Sequence, residues 1–355
     1  MCAQMMKAAL LRGPQDVVLE EVPVPSVTDK EVLVEVKFCG ICGTDVHSYE
    51  TASVLRAGTY LGHEFSGIIA ETGKDVKNLK VGDRVTVCPW YMCGECVACR
   101  HGFPQRCLYG HEKGIGGGIG RQYAGGFARF VKIPEPNRTR LFCLPLEVSF
   151  EEGAMVEPLA VAIHAIRTSA IKPGNSVAVL GVGPIGLGVV AFLRATGAGL
   201  IISTYRSNEF RAELAKKLGA DHTISVLGLP NIGERVLELT DGLGVDVIFE
   251  CSGVGEALVS ALGFLKPGGQ IILLGSITTP VEIIPFDFIP SELRVQGSNC
   301  YHYDEFPIAI DFLRRGLVNV SEMITSKINL ENIVEGGFKR LLKPGHQEIK
   351  VLVSP

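Results

Sequence analysis

Long apolar runs are missing from this sequence, in which no segment reaches eighteen uncharged apolar residues. A membrane-spanning helix needs about 20 predominantly apolar residues, so none is expected. The N-terminal segment 1–14 has one lysine and then a short apolar patch, which is ended by Arg12, Gly13 and Pro14. That patch is too short for the apolar region of a secretory signal. We therefore expect a cytoplasmic protein with no membrane partner.

A surplus of basic residues is missing too. The chain has 34 lysines and arginines against 38 acidic residues, a formal net charge of −4, and its pI is near 6.1. Nucleic-acid-binding domains usually show a basic footprint, so we expect no nucleic-acid partner. The sequence also contains neither an internal repeat nor a run of like charges.

Length and composition favour a globular α/β protein of two domains. The chain has 355 residues, of which 46% are hydrophobic, 20% are charged and 42 are glycines. A single core rarely keeps growing beyond about 250–300 residues. Eleven cysteines in so long a chain without a secretory signal are expected to be reduced thiols that can bind metal, rather than disulfides.

The first part of the chain, up to about residue 160, alternates short β-rich runs with turn signals. These runs are VLVEVKFCG (32–40), FSGIIAETG (65–73) and DRVTVCPW (83–90). Glycine, proline and aspartate separate them, which predicts an antiparallel, barrel-like domain. Within this part, GIGGGIG (114–120) is predicted to be a loop, because no strand precedes it and no helix follows.

From about residue 176 apolar strands alternate with helices. The predicted strands are SVAVLG (176–181), LIISTY (200–205), HTISV (222–226), VDVIFECSG (245–253), QIILLG (270–275) and RVQGS (294–298), with helices at LGVVAFLRATG (187–197) and EFRAELAKKLG (209–219). This alternation predicts a parallel sheet that is buried on both faces.

The last part of the chain combines a helix with a strand. DEFPIAIDFLRRG (304–316) has helical periodicity, and IKVLVSP (349–355) is strand-like. By analogy we assign this tail to the first domain. The predicted domains are therefore 1–160 together with 299–355, and 161–298.

A dinucleotide fingerprint, GVGPIG (181–186), follows the first of the later strands and opens a helix. Its glycines permit a tight turn and close approach of the backbone, and the helix N-terminus offers free N–H groups to a pyrophosphate. The residues assigned to the cofactor site here are Gly181, Gly183, Pro184, Ile185 and Gly186, with Gly275 at the end of a later strand.

The end of the second strand of this unit bears on cofactor choice. NAD-binding proteins normally carry an acidic residue there, which binds the adenosine ribose and repels a 2′-phosphate. This chain has Tyr205 and Arg206 instead, followed by Ser207 and later Arg211. Arginine and hydroxyl groups can bind a phosphate through charge-assisted hydrogen bonds, so NADP(H) is favoured over NAD(H).

Four cysteines lie in the spacing C-x2-C-x2-C-x7-C, at Cys93, Cys96, Cys99 and Cys107. A redox C-x-x-C pair would use only the first two of them, whereas a closed tetrahedral zinc site uses all four. With four thiolate ligands no coordination position stays open, so a structural zinc ion is predicted.

A second set, Cys42, His63 and Glu64, mixes sulfur, nitrogen and oxygen donors. Three such ligands leave a fourth position for water or substrate, as catalytic zinc requires. Each of the three also has an ordinary explanation, as a small buried thiol, a core histidine and a solvated acid. The residues by themselves leave that choice open.

The chain resembles the zinc-dependent medium-chain dehydrogenases, in their polyol (sorbitol) and threonine dehydrogenase branch. The resemblance rests on the cysteine quartet and on CGICGTDVH (39–47), GHEFSG (62–67), MVEPLAVAIHA (155–165), GVGPIG and IKVLV (349–353), in the order of the family. It implies a GroES-like β-barrel catalytic domain, formed by both ends of the chain, and an inserted Rossmann domain with a doubly wound parallel sheet. A homodimer or homotetramer is implied as well.

The resemblance also implies the roles of the site residues. Cys42, His63 and Glu64 would bind the catalytic zinc, with Glu157 either as a further ligand or as the residue that holds the zinc-bound water. Thr44 would take the substrate proton and His47 would pass it to solvent, while Asp45 would orient His63. Two zinc ions per chain are expected.

These observations predict an enzyme that moves a hydride between a nicotinamide cofactor and a polyol or other secondary alcohol. The alternatives are a dehydrogenase of 3-hydroxy amino acids, a metal-free quinone or enoyl reductase on the same scaffold, and a regulatory protein that only binds zinc and nucleotide.

Overall fold

The structure, a computed structural model, describes residues 4–52, 54–110, 125–136, 141–229 and 231–355. The glycine-rich segment 114–120, predicted to be a loop, lies outside these residues. Across the described ranges, no helix has the length and apolar character that crossing a membrane would require.

The strands of the described residues form three sheets. They are β1 Met5–Gly13, β2 Asp16–Pro23, β3 Glu31–Gly40, β4 Thr59–Tyr60, β5 Glu64–Thr72, β6 Arg84–Val87, β7 Phe130–Pro134, β8 Leu141–Cys143, β9 Ser176–Leu180, β10 Leu200–Tyr205, β11 His222–Ser225, β12 Val245–Glu250, β13 Leu265–Leu273, β14 Arg294–Gly297, β15 Ile324–Asn329 and β16 Lys350–Ser354.

The α-helices of the described residues range from four residues to nineteen. They are α1 Gly43–Thr51, α2 Val97–Arg100, α3 Phe150–Thr168, α4 Pro184–Ala195, α5 Glu209–Lys217, α6 Ile232–Leu239, α7 Gly255–Ala261, α8 Glu305–Arg314 and α9 Lys339–Leu342. A π-helical turn, Ile333–Phe338, runs directly into α9.

The described chain divides into two compact units. The first comprises Met1–Glu157, His302–Arg315 and Ile324–Pro355, and the second comprises Pro158–Tyr301 and Gly316–Met323. The boundary between Glu157 and Pro158 falls inside α3. The sequence-based division assigned all of 299–355 to the first domain, whereas Gly316–Met323 belongs to the second unit.

The first unit is built on mostly antiparallel strands. β3 is central, since it pairs antiparallel with β5, β7 and β16, and β5 continues through β6 to β8. The C-terminal strand β16 enters this sheet next to the segment that leads into α1, with Leu352 opposite Gly40 and Val353 opposite Cys39. This pairing brings the end of the chain to the motif CGICGTDVH. β1, β2 and β4 form a smaller sheet.

One face of β1 and one face of β3 contribute to the core of the first unit. Val32, Val34 and Val36 are buried, as are Ala9 and Leu11 of β1. Side chains at every second position of a strand point to the same face, so such a pattern buries one face against the core. The aromatic ring of Phe338 completes this core by stacking on Tyr49 with ring centroids 5.0 Å apart.

The second unit contains a parallel sheet with the strand order β11-β10-β9-β12-β13-β14. Its central strands are almost continuously apolar and buried, as expected for strands covered on both faces. The order reverses between β9 and β12, which is the topological switch point where doubly wound folds bind their ligands. The predicted parallel sheet is confirmed.

Two predicted strands end earlier than the sequence pattern indicated. DRVTVCPW stops at Val87, two residues before Pro89, which has no N–H to continue a ladder. VDVIFECSG stops at Glu250, because Gly253 adopts the left-handed conformation with φ +69° and the chain turns there.

Candidate functional site

Cys42 is the N-cap residue of α1 in the first unit. Its sulfur accepts the backbone N–H of Thr44 at 3.4 Å, and the Asp45 carboxylate accepts the N–H of Cys42 at 3.0 Å. Both contacts satisfy helix N–H groups that have no partner within the helix. The cap fixes Cys42 at the helix end, with the N–H of Thr44 directed at its sulfur.

His63 lies directly before β5, and its imidazole faces the carboxylate of Asp45. Its Nδ1 is 3.8 Å from Asp45 Oδ1, and among the described residues neither atom has a hydrogen-bond partner. Burial opposes the charged imidazolium, but Cys42, Asp45 and Glu157 together raise the pKa of His63 well above its usual value. An imidazole that bound a metal through Nε2 would turn its Nδ1–H toward Asp45, which fits the predicted orienting role of this carboxylate.

Glu64 is the next residue, and it forms a buried ion pair. Lys350 Nζ donates to its two carboxylate oxygens at 2.8 and 2.5 Å and to the carbonyl oxygen of Ile41 at 3.2 Å. Lys350 is 2% exposed and Glu64 is 1% exposed. Burial opposes the ammonium charge, yet Glu64, Cys42 and Glu157 raise the pKa of Lys350 above its usual value. Lys350 therefore supplies a positive charge to this acidic cluster.

The three predicted ligands of catalytic zinc come together. One donor atom from each of Cys42, His63 and Glu64 lies within 4.8 Å of the others. Glu157 does not belong to this group, although it is buried and its charge acts on both His63 and Lys350. The mixed donors, the excess of acidic groups and the orphaned His63 Nδ1 all fit a divalent zinc ion.

Thr44 and His47 lie on one face of α1. They are three residues apart, a spacing at which helical side chains are neighbours. Thr44 is partly buried, while His47 is exposed to solvent. This face of the helix thus leads from Thr44, two residues after Cys42, toward the surface.

The cysteine quartet forms a second cluster in the first unit. One sulfur from each of Cys93, Cys96, Cys99 and Cys107 lies within 4.8 Å of the others, and all four are free thiols. Cys93 and Cys99 are 3.9 Å apart, a non-bonded separation. The cluster uses every member of the motif, which a redox pair would not.

Backbone N–H groups point at sulfur atoms of this cluster, where they would stabilise negatively charged thiolates. The N–H groups of Glu95 and Cys96 point at Cys93 Sγ at 3.3 and 3.2 Å, and the N–H of Cys93 points at Cys107 Sγ at 3.4 Å. Backbone amides of Cys99 and Leu108 lower the pKa of Cys96 to about 6. Burial raises the pKa of Cys99 to about 12 and also raises that of Cys107. A metal ion would have to displace protons from these two thiols.

The glycine turn of the second unit has the geometry of a phosphate-binding loop. Gly181 adopts φ +95°, and its N–H donates to Thr204 at the end of β10. A side chain at Gly186 would lie 1.9 Å from the carbonyl oxygen of Gly181, whereas one at Gly183 would meet nothing within 4 Å. Gly183 is the N-cap of α4 and has no side chain to occupy the free N–H groups. The open space beside it fits an anion.

The end of β10 places the predicted cofactor-selecting residues on the surface. Arg206 and Ser207 are exposed, and Arg211 is half-buried in α5. The Tyr205 hydroxyl donates to the Glu209 carboxylate at 2.9 and 3.0 Å, which raises the pKa of Tyr205. Burial lowers the pKa of Arg211. Gly275, which follows β13, lies beside the residues that follow β12.

Sequence reasoning missed Lys350 and Glu250. Both are buried charged residues in a mostly apolar strand, Lys350 at the start of β16 and Glu250 at the end of β12. That contrast was the available signal, because lysine and glutamate are almost never fully buried unless they are paired.

Two family models match the chain. Residues 28–145 match the one described as "Alcohol dehydrogenase GroES-like domain", and residues 184–315 match "Zinc-binding dehydrogenase".

Full-length relatives give a consistent result. The sorbitol dehydrogenase of Bacillus subtilis is 35% identical over 362 residues, covering 99% of this chain and 98% of that protein. The L-threonine 3-dehydrogenase of Bacillus velezensis is 36% identical over 343 residues, covering 95% of each. A zinc-binding dehydrogenase from Sinorhizobium meliloti 1021, solved with bound NADP, superposes with a TM-score of 0.88 at 34% identity, over 99% of this chain and 100% of that one. The predicted fold class, a GroES-like domain with a Rossmann parallel sheet, is confirmed.

Proposed function

Since the chain belongs to the zinc-dependent medium-chain dehydrogenases, in their polyol dehydrogenase branch, we propose that it transfers a hydride between a polyol-type secondary alcohol and a nicotinamide cofactor. NADP(H) is the proposed cofactor. The observation that carries the proposal is the cluster of Cys42, His63 and Glu64, whose mixed donors suit a zinc ion with an open position. A metal-free reductase would have no use for this set.

Cys42, His63 and Glu64 are the proposed ligands of the catalytic zinc, and Glu157 is proposed to hold a water molecule or the substrate hydroxyl beside them. When bound, zinc supplies a Lewis acid that lowers the pKa of the substrate hydroxyl group. Asp45 holds the imidazole of His63 in the ligating orientation. The four cysteines of the quartet would hold a second, structural zinc ion.

The proton and the hydride leave the alcohol by separate routes. In oxidation, the hydroxyl proton passes to the oxygen of Thr44 and on to His47, whose exposure lets it release the proton to solvent. When bound, the oxidised nicotinamide would supply the acceptor at C4 for the carbon-bound hydrogen and its electron pair. Reduction of a ketone reverses both transfers.

The cofactor would be held by the second unit. The N–H groups at the start of α4 bind the pyrophosphate, and Arg206 with Ser207 binds the adenosine ribose and its 2′-phosphate, with Arg211 nearby. The lack of a carboxylate directly after Tyr205 supports NADP(H).

Arg206→Asp is expected to reverse the cofactor preference. The substitution removes a charge-assisted hydrogen bond to the 2′-phosphate and adds a carboxylate that accepts from the ribose hydroxyls. Loss of such a bond corresponds to roughly 10- to 100-fold in kcat/KM with NADP. Initial rates with both cofactors measure the ratio.

Arg235→Asp makes the same change of charge in the second unit, at an exposed arginine that pairs with Glu238. It should leave the ratio of kcat/KM with NADP to kcat/KM with NAD within about twofold of the wild-type ratio. An unchanged ratio in Arg206→Asp would remove Arg206 from the cofactor site.

A 3-hydroxy amino acid is the alternative substrate class, supported by the similarity to a threonine dehydrogenase. Initial rates of nicotinamide reduction on sorbitol, xylitol, 2,3-butanediol and threonine, each with NADP and with NAD, separate the two. Polyol turnover supports the proposal, and turnover of threonine alone replaces it with the alternative. If no alcohol and no cofactor reacts, the protein is better explained as a zinc- and nucleotide-binding regulator.

The proposed assembly is a homodimer or homotetramer formed through β14. This strand is an edge of the parallel sheet, all four of its residues are exposed, and its Val295 is apolar. Ile284, Phe286 and Ile289, directly before it in the chain, are each more than 60% exposed. Unprotected edges and exposed apolar side chains favour association with a second copy.

Phe286→Asp together with Val295→Asp is expected to break the contact through β14, because buried like charges would oppose it. A homodimer would then become monomers, and a homotetramer would become a smaller assembly. Light scattering after size-exclusion chromatography measures the mass. Leu146→Asp, at an apolar residue of the first unit that is 87% exposed, is the control and should not change it. A wild-type protein that is already monomeric contradicts the proposal.

A further inference from the structure

Glu250 is a buried carboxylate at the carboxyl end of β12, and its side chain holds the loop that follows. It is 0% exposed. Its Oε1 accepts the backbone N–H of Ser252 at 2.8 Å, that of Gly253 at 3.0 Å, and the hydroxyl of Ser252. One carboxylate oxygen thus holds both the backbone and a side chain in the segment 251–253. The same donors stabilise the negative charge of the carboxylate.

The same residue also holds the loop after β13. The carbonyl oxygen of Glu250 accepts the N–H groups of Leu274 and Gly275, both at 2.9 Å. A side chain at Gly275 would lie 2.4 Å from Glu250 Oε2 and 2.3 Å from the nitrogen of Gly253. The two loops are therefore packed backbone against backbone around this carboxylate.

The third loop in contact is the glycine turn after β9. A side chain at Gly181 would lie 2.9 Å from the Cα atom of Ser252, and the N–H of Cys251 donates to Leu180 at 2.8 Å. Because the backbone of residues 251–253 rests on Gly181, its position depends on the turn proposed to bind pyrophosphate. Glu250 links the carboxyl ends of β9, β12 and β13.

The loops after β12 and β13 lie where one half of a bound dinucleotide is expected. The sheet order puts β10 on one side of β9 and β12 followed by β13 on the other. A dinucleotide lies across the carboxyl ends of the strands at the switch point. If the adenosine ribose is at the end of β10 and the pyrophosphate at the start of α4, the nicotinamide half falls over the loops after β12 and β13.

We propose that Glu250 is a positioning residue for the nicotinamide half of the cofactor, acting through the loops 251–253 and 274–276 that it braces. The inference rests on the proposed function, since it requires a nicotinamide dinucleotide in this unit. Glu250 itself lies under these loops and binds their backbone. Its role is to give them one conformation, so that the nicotinamide ring is received without further ordering.

Glu250→Gln tests this role with almost no change in volume. The amide keeps one oxygen that can accept from the loop, but the negative charge that strengthens these hydrogen bonds is lost, and an NH2 group replaces the second oxygen, which lies 3.3 Å from the backbone nitrogen of Gly253. Dissociation constants are measured by calorimetry for the reduced cofactor that the wild type prefers and for ADP, or its 2′-phosphorylated form, which lacks the nicotinamide half. We expect the cofactor to bind roughly tenfold more weakly and the ADP form to bind within about twofold of wild type. Hydrogen exchange at Gly253 and Gly275 should become faster.

Asp246→Asn is the matched control on the same strand. Asp246 is near the amino end of β12, where it accepts from the backbone N–H of Ser176 at 2.8 Å and from Lys266 at 2.9 Å. It should lower stability without separating the two dissociation constants. If Glu250→Gln weakens both ligands equally, or neither, the inference is overturned.

Ser252→Ala is the second variant, because it removes a single donor to the carboxylate and is expected to fold. It should weaken binding of the cofactor about two- to fivefold and leave binding of the ADP form unchanged. Equal effects on both ligands overturn the inference here as well. A wild-type protein that binds neither ligand refutes the proposed function itself, and the role of Glu250 with it.

Discussion

Cys42→Ser is expected to reduce kcat/KM by on the order of a thousandfold and to lower the zinc content from two ions per chain to one. Cys42 would supply the soft anionic ligand to a bound zinc ion, whereas a serine hydroxyl stays protonated and binds zinc weakly. Lewis-acid stabilisation contributes several kcal/mol to such a reaction, and each 1.4 kcal/mol or so is a factor of ten in rate. Elemental analysis and initial rates on the same preparation measure both quantities.

The structure indicates that this variant keeps its fold. Cys42 caps α1 by accepting the N–H of Thr44, and serine is among the best N-cap residues. The Asp45 contact to the backbone N–H of residue 42 involves no atom of the replaced side chain. Chelated wild type and variant should therefore unfold within about 0.5 kcal/mol of each other.

Cys143→Ser is the control for loss of one sulfur atom. Cys143 is an exposed thiol on β8 that belongs to neither cluster. It should retain two zinc ions and wild-type turnover. A Cys42→Ser protein with wild-type turnover would exclude the cluster from catalysis.

Lys350→Met is expected to destabilise the chelated protein by about 3–5 kcal/mol. The substitution leaves Glu64 as a buried carboxylate without its cation, and removing one partner of a buried ion pair has a cost of this size. Zinc would supply the missing positive charge, so the loss should be smaller in the zinc-loaded protein. Urea unfolding with and without chelator measures both values.

Lys327→Met is the control, because it removes an exposed ion pair instead of a buried one. Lys327 lies on the neighbouring strand β15 and pairs with Glu151 at 3.1 Å, with more than half of its side chain exposed. Its loss should cost less than about 1 kcal/mol. Adding Glu64→Gln to Lys350→Met should restore much of the stability, because the orphaned charge is gone. If both lysine variants lose equal stability, Lys350 is not the counter-charge of Glu64.

The parts of the fold that could be predicted are those with local signals. Apolar strands such as β9 and β10 alternate with helices, and GVGPIG stands between a strand and a helix. The cysteine quartet could be predicted for the same reason, since short loops bring its ligands together. Cys42 and the pair His63-Glu64 could be grouped only through the family resemblance, because 20 residues separate them.

The residues that could not be predicted act across long separations. Lys350 meets Glu64 over 286 positions, through the pairing of β16 with β3, and nothing near IKVLV indicates a carboxylate partner. Glu250 contacts residues close in sequence, but its link to Gly275 and to the glycine turn depends on the order of β9, β12 and β13. Cofactor preference and the roles of Thr44, His47 and Glu157 stay predictions.

Zinc titration into the chelated protein tests the central claim most directly. The readout is the rate of nicotinamide reduction with a polyol, followed by absorbance as zinc is returned. We expect turnover to be absent in the chelated protein and to rise with zinc until the cluster of Cys42, His63 and Glu64 is filled, with two ions bound per chain at the plateau. Full turnover in protein from which all zinc has been removed would contradict the account.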